Sequence, residues 1–131
     1  MTDLYAVMGN PVAHSKSPFI HAAFARQTGQ DLAYEARLVE EGTFSQAVKT
    51  FFAEGGKGLN ITVPFKLEAF ALADTLSEGA SLSGAVNTLY QDGTGALIGH
   101  NTDGPGLVRD MCDNHGGEIK GKRVLVETLM Q

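Results

Sequence analysis

Short apolar runs alternate along this chain with segments whose apolar residues return every three or four positions. Leu4, Tyr5, Ala6, Val7 and Met8 form an unbroken run ended by Gly9, the pattern of a short buried strand. After the Asn10-Pro11 loop, Ser17 suits a helix N-cap and Pro18 the first helical position, where its missing N–H costs nothing. Phe19, Ile20, Ala23 and Phe24 share one helical face, and Gly29 can close that helix. Residues 32–39 predict a second strand. Thr43 is the next candidate N-cap, and Phe44, Ala47, Val48, Phe51 and Phe52 follow at helical spacing until Gly55-Gly56. Residues 59–63 predict a third strand, broken by Pro64. A short helix should follow with Phe65, Ala69, Leu72 and Ala73 facing inward, then a helical turn or two over residues 76–83.

Residues 85–90 and 96–99 predict two strands, joined through Gln91-Asp92-Gly93-Thr94-Gly95; an Asp-Gly between strands signals a hairpin. Residues 102–115 read as a helix with Leu107, Val108 and Met111 apolar, and residues 122–126 as a final strand. Strand–helix alternation over the first 65 residues implies parallel pairing through right-handed crossovers. The expected fold is α/β: a three-layer α-β-α open sheet, mainly parallel, to which the hairpin adds an antiparallel edge.

Composition narrows the class. At 131 residues the chain is the size of one domain, and 43% hydrophobic residues exclude generic disorder. A formal net charge of −5 argues against nonspecific nucleic-acid binding and against an anionic membrane surface. No apolar run is long enough to span a bilayer, and Asp3 sits where a signal peptide would be basic, so a cytoplasmic location is expected. The lone Cys112 excludes an internal disulfide and reads as a partly buried helix residue. His14, His21, His100 and His115 show no metal-binding spacing, so no metal site is expected. Asn60-Ile61-Thr62 matches a glycosylation sequon, which without a secretory signal is incidental.

Three loops are unusually polar for their positions: His14-Ser15-Lys16-Ser17-Pro18, Asn60-Ile61-Thr62-Val63-Pro64-Phe65-Lys66, and Asn101-Thr102-Asp103-Gly104, with Asn87-Thr88 near the last. In an open α/β sheet, ligands sit beyond the carboxyl ends of the strands, where the first two loops emerge. Hydroxyls and amides suit a polyhydroxylated small molecule, and a helix N-terminus favours a carboxylate. One Lys with one Asp suits proton transfer at a carbonyl or alcohol. Taken singly, each residue also has a plain structural reading: Ser17 as a cap, Asn101 to Gly104 as a turn, Lys66 as a solvated surface lysine.

The combination resembles the shikimate dehydrogenase family. The resemblance rests on Met8-Gly-Asn-Pro11 running into His14-Ser-Lys-Ser-Pro18, on Gly58-Leu-Asn-Ile-Thr-Val-Pro-Phe-Lys66, on Gly84-Ala-Val-Asn-Thr-Leu89, and on Gly99-His-Asn-Thr-Asp-Gly104. It implies reduction of 3-dehydroshikimate to shikimate with NADPH, on the route to aromatic amino acids. It also implies that Ser15 and Ser17 hold the substrate carboxylate and that Asn60, Thr62, Asn87 and Asp103 bind ring hydroxyls. Lys66 would be the catalytic acid/base, paired with Asp103. Ser-Lys-Ser-Pro and Thr-Val-Pro-Phe-Lys favour the shikimate-specific branch over the sister group that also oxidises quinate. His100 is given no role.

Such an enzyme also needs a Rossmann-type domain for NADP. Lys122-Arg123-Val124-Leu125-Val126 resembles its first strand, yet no Gly follows Gly121, and Gly104-Pro105-Gly106 is no dinucleotide fingerprint. The expectation is a substrate-binding and catalytic domain over residues 1–121, with 122–131 beginning a truncated link. The cofactor domain would be absent, no cofactor would bind and the chain alone would be inactive. The apolar surface left where the two halves met would drive self-association. Two rivals stay open: a quinate/shikimate dehydrogenase domain, and a noncatalytic domain that binds shikimate-like ligands.

Overall fold

A computed structural model describes residues 1–127; residues 128–131, the last of the expected link, lie outside the described residues. Among the described residues six strands form one sheet: β1 (Asp3–Gly9), β2 (Leu32–Leu38), β3 (Gly58–Ile61), β4 (Thr75–Leu76), β5 (Thr88–Gln91) and β6 (Leu97–His100). Five α-helices accompany them: α1 (Ser17–Thr28), α2 (Phe44–Ala53), α3 (Lys66–Leu72), α4 (Glu78–Ser83) and α5 (Asp103–Arg109), the last running into a π-helical turn at Asp110–Asn114. The strand order is β2-β1-β3-β5-β6-β4. β1 is parallel to both β2 and β3, β5 is antiparallel to β3 and β6, and β4 is parallel to β6.

The period-2 alternation of strands sorts the layers. Ala6 and Met8 of β1 and Leu59 and Ile61 of β3 are buried with Phe44, Val48 and Phe51 of α2, and with Phe65 and Ala69 at α3. Phe44 and Phe65 stack at 4.9 Å and tie α2 to the start of α3. Tyr5 of β1 pairs with Tyr34 of β2, on the opposite face, where α1 packs over β2 and β1. The expected three-layer α/β sheet is present.

Several local expectations need correction. Lys16, not Ser17, is the N-cap of α1; Ser17 is its first residue, and its N–H donates to Ser15 Oγ at 3.2 Å. Thr43 is the N-cap residue of α2 as expected, but its hydroxyl donates back to the Glu40 carbonyl and makes no cap bond. The third strand stops at Ile61 because Phe65 N–H donates to the Thr62 carbonyl and closes a turn. The segment 76–83 is not all helical. Leu76 belongs to the short strand β4, and α4 starts after Ser77, whose Oγ accepts from Ala80 N–H.

Because β4 pairs with β6, the hairpin lies inside the sheet and is not its edge. Its turn is held by Asp92, whose Oδ1 accepts from Thr94 Oγ1, Thr94 N–H and Ala96 N–H. The Thr94 bonds, from hydroxyl and backbone, hold this carboxyl below the usual carboxylate range. The apolar face expected to bury α1 is open: no residue of that helix is buried. The expected helix 102–115 changes to π geometry after Arg109, and none of its residues is buried either. Residues 122–126 form no strand; they pair with none of the described strands, and Val124, Leu125 and Val126 are exposed.

Candidate active site

Topology brings the polar loops to one end of the sheet. β1 and β3 are parallel, so the loops after both leave from the same edge. β5 runs the other way, so its start, at Asn87 and Thr88, meets the end of β3. β6 reverses again, with His100 opposite Thr88, and delivers Asn101, Thr102 and Asp103 to that edge. Asn10 N–H donates to the Val63 carbonyl at 2.9 Å, joining the first loop to the second. Both loops contain a cis proline bond, Asn10-Pro11 and Val63-Pro64. Gly9 is required at the junction: a Cβ there would collide with Thr62 Cγ2.

A cleft of about 310 Å³ opens at this edge, and Ser15, Ser17, Asn60, Thr62, Lys66, Asn87 and Asp103 all line it. Lys66 begins α3 and Asp103 begins α5, and Lys66 Nζ lies 2.7 Å from Asp103 Oδ2. The lysine side chain is 34% exposed and the aspartate 53%, so the pair is reachable from solvent and adds little to stability. Asn87 is buried and fully engaged. Its Nδ2 donates to Thr102 Oγ1 at 2.8 Å and to Asp103 Oδ1 at 3.0 Å, and its Oδ1 accepts from Thr102 N–H at 3.0 Å. Buried Asn101 accepts the Asp103 N–H on its Oδ1 at 2.8 Å and donates to Ser83 Oγ and the Ala85 carbonyl. Asp103 is thereby fixed through its backbone and one oxygen while the other oxygen meets Lys66.

The polar loop read from sequence also supplies Thr102 and Asn101, which were given no individual role, and sequence reasoning missed His21 and Tyr34. Thr102 and His21 line the cleft; Asn101 and Tyr34 support it from behind. His21 stands one helical turn after Ser17, and its Nδ1–H donates to the Ser17 carbonyl at 3.0 Å. Tyr34 stacks on the His21 ring with centroids 4.2 Å apart. Spacing alone could have flagged His21; Tyr34 needs the strand register, which the sequence pattern leaves free.

Gly104 and Gly106 lie within α5 rather than in a turn between strand and helix. Among the described residues no three His, Cys, Asp or Glu side chains gather as a metal site would need, and no helix is long and apolar enough to cross a membrane.

Comparison with known proteins decides the family. The profile described as shikimate dehydrogenase substrate binding domain matches residues 7–89. The chain belongs to this family. The shikimate dehydrogenase (NADP(+)) of Alkalilimnicola ehrlichii is 60% identical over 126 residues, 96% of this chain and 46% of that protein. Among solved structures, an Ael1 enzyme from Pseudomonas putida is 48% identical with a TM-score of 0.85, over 88% of this chain and 42% of that one. Shikimate 5-dehydrogenase from Listeria monocytogenes, in complex with shikimate and NAD, is 36% identical with a TM-score of 0.85, over 92% of this chain and 41% of that one. The chain thus spans less than half the length of these shikimate dehydrogenase relatives.

Proposed function

We propose that the cleft binds shikimate and 3-dehydroshikimate, and that Lys66, held by Asp103, moves the proton at the oxygen where ketone and alcohol interconvert. The observation that carries this reading is the convergence of seven residues from four separate segments on one cleft, with Lys66 and Asp103 2.7 Å apart inside it. The chemistry fits. Ser15 and Ser17 offer hydroxyls beside the N-terminus of α1, where an anion is favoured. Asn60, Thr62 and Asn87 line the cleft for ring hydroxyls; the Thr62 hydroxyl takes one directly, and the Asn60 and Asn87 amides, engaged within the protein, meet one by exchanging a bond. When a carbonyl carbon is reduced, charge gathers on its oxygen; the Lys66 ammonium stabilises that charge and donates the proton, and Asp103 keeps the ammonium in place.

The redox cofactor in this reading is NADP, the cofactor named for the Alkalilimnicola relative, held outside residues 1–127. The chain by itself should therefore turn over no shikimate, and its expected setting is the cytoplasm. Residues 1–121 serve as the ligand-binding unit. Calorimetry of the chain with shikimate tests the cleft: saturable 1:1 heat, retained in Lys66→Ala, is the expected result, and no saturable heat would overturn the reading. An NADP-dependent rate from the pure chain would overturn the claim of inactivity.

A further inference from the structure

We infer that Tyr34 is a positioning residue: its phenol holds the Asn60 amide in place and with it a hydrogen-bond chain that ends on the Lys66–Asp103 pair. The inference rests on the functional reading of the cleft and assigns a role to a residue outside it.

The chain runs in one direction. Tyr34 Oη donates to Asn60 Oδ1 at 2.7 Å. Asn60 Nδ2 donates to Thr88 Oγ1 and to the Asn87 carbonyl, both at 3.3 Å. Thr88 Oγ1 donates to Asn87 Oδ1 at 2.9 Å, and Asn87 Nδ2 donates to Asp103 Oδ1 at 3.0 Å. Lys66 Nζ donates to the other oxygen of Asp103. The far end is pinned by groups with a single role: the Asp103 carboxylate only accepts, and the Thr102 N–H on Asn87 Oδ1 only donates. The near end is held more loosely. Both Asn60 Nδ2 bonds are long, and the short bond on this amide comes from the phenol. The Asn87 carbonyl, which only accepts, sets which end of the Asn60 amide is nitrogen; without the phenol the Asn60 Oδ1 loses its hydrogen bond and the amide is held by the two long bonds alone.

Tyr34 is built to stay a donor. Burial pushes its phenol from 10.0 up to about 12, with the Ser17 hydroxyl beside it pulling the other way, so it keeps its proton throughout the neutral range. Its ring lies flat on His21, 4° from parallel, and His21 is anchored to the Ser17 carbonyl. The phenol oxygen thus stands between the serine end of the cleft and the amide end. Tyr34 is absent from the cleft lining, so it acts through Asn60 rather than on a ligand.

Tyr34→Phe keeps the ring on His21 and deletes the hydroxyl, both the donor to Asn60 and the contact with the Ser17 hydroxyl, which the Asn60→Ala background separates. In calorimetry on the full chain it should weaken shikimate binding by about threefold to tenfold, the worth of one oriented hydrogen bond. In an Asn60→Ala background the same substitution should change nothing. No weakening in the wild-type background, or the same weakening in both, would overturn the inference. If the wild-type chain binds no shikimate, the functional reading falls, and the Asn60 side-chain amide resonances still decide the role of Tyr34. They should shift and lose exchange protection in Tyr34→Phe if the phenol holds the amide; unchanged resonances would overturn it.

Discussion

At the residue scale, the proposed reading separates groups that hold from the group proposed to react. Asn87 and Asn101 are buried with their amides satisfied, whereas Lys66 reaches the cleft partly exposed. Joined to an NADP-binding domain, Lys66→Ala should lower kcat by about 10²–10⁴-fold, the usual worth of a placed general acid, while the shikimate Kd changes little. Steady-state kinetics beside calorimetry reads this split; a matched loss in both would make Lys66 a binding residue only. Tyr34 makes a second prediction, through pH. Its folded value of about 12 lies above the 10.0 of a free tyrosine, so the folded state holds this proton more tightly. The stabilisation is complete below pH 10 and drains away as pH rises toward 12. Ultraviolet titration should show one phenol ionising near 12 that vanishes in Tyr34→Phe, with the wild-type chain losing stability across that window. Ionisation of Tyr34 near 10 would contradict its burial.

At the scale of elements, loop placement depends on close approaches that only small residues permit. Gly9 ends β1 against Thr62, and a Cβ there would also lie 3.1 Å from the Val63 carbonyl. Gly9→Ala should cost about 1–3 kcal/mol, as overpacking does, and push the Thr62 loop out of register with the Ser15 loop. Urea unfolding measures the first effect and shikimate calorimetry the second; a variant as stable and as tight as wild type would mean that Thr62 yields freely. These elements also mark what could be read from sequence. Gly9, Phe44, Phe51 and Leu59 announce strands and a buried helix face because their partners are close in the chain or numerous. The four motifs announced the cleft. What stayed hidden depends on distant pairing: β4 is two residues long and exists only because Leu76 lies beside Gly99. Tyr34 matters only because β2 and β3 flank β1 in a register that sequence periodicity does not set. Residues 122–126 have strand-like composition, but a strand is a pairing, and these residues find none among the described strands.

At the scale of the whole molecule, the two faces of the sheet are unequally clothed. α2 and α3 bury one face. α1 covers only the β1 and β2 side of the other, with Phe19 75% and Phe24 54% exposed. Beside it lies an open groove of about 410 Å³, whose walls include Tyr5, Leu32, Tyr34 and Tyr90. Two forces then compete when chains meet in solution. The net charge of −5 repels, but at physiological salt that repulsion is screened beyond about 8 Å. Burying even one of the exposed phenylalanines returns about 1.5–3 kcal/mol, and the α1 face presents two beside the groove. Apolar contact should win, so the chain is expected to self-associate as its concentration rises, and more strongly in added salt. Sedimentation equilibrium or light scattering across a concentration series checks this. Replacing Phe19 and Phe24 together by Ser should return the chain to a monomer without lowering its melting temperature, since neither side chain is buried. A wild-type chain that stays monomeric at every concentration and salt would show that the polar rim of this face, not its aromatic residues, sets its behaviour.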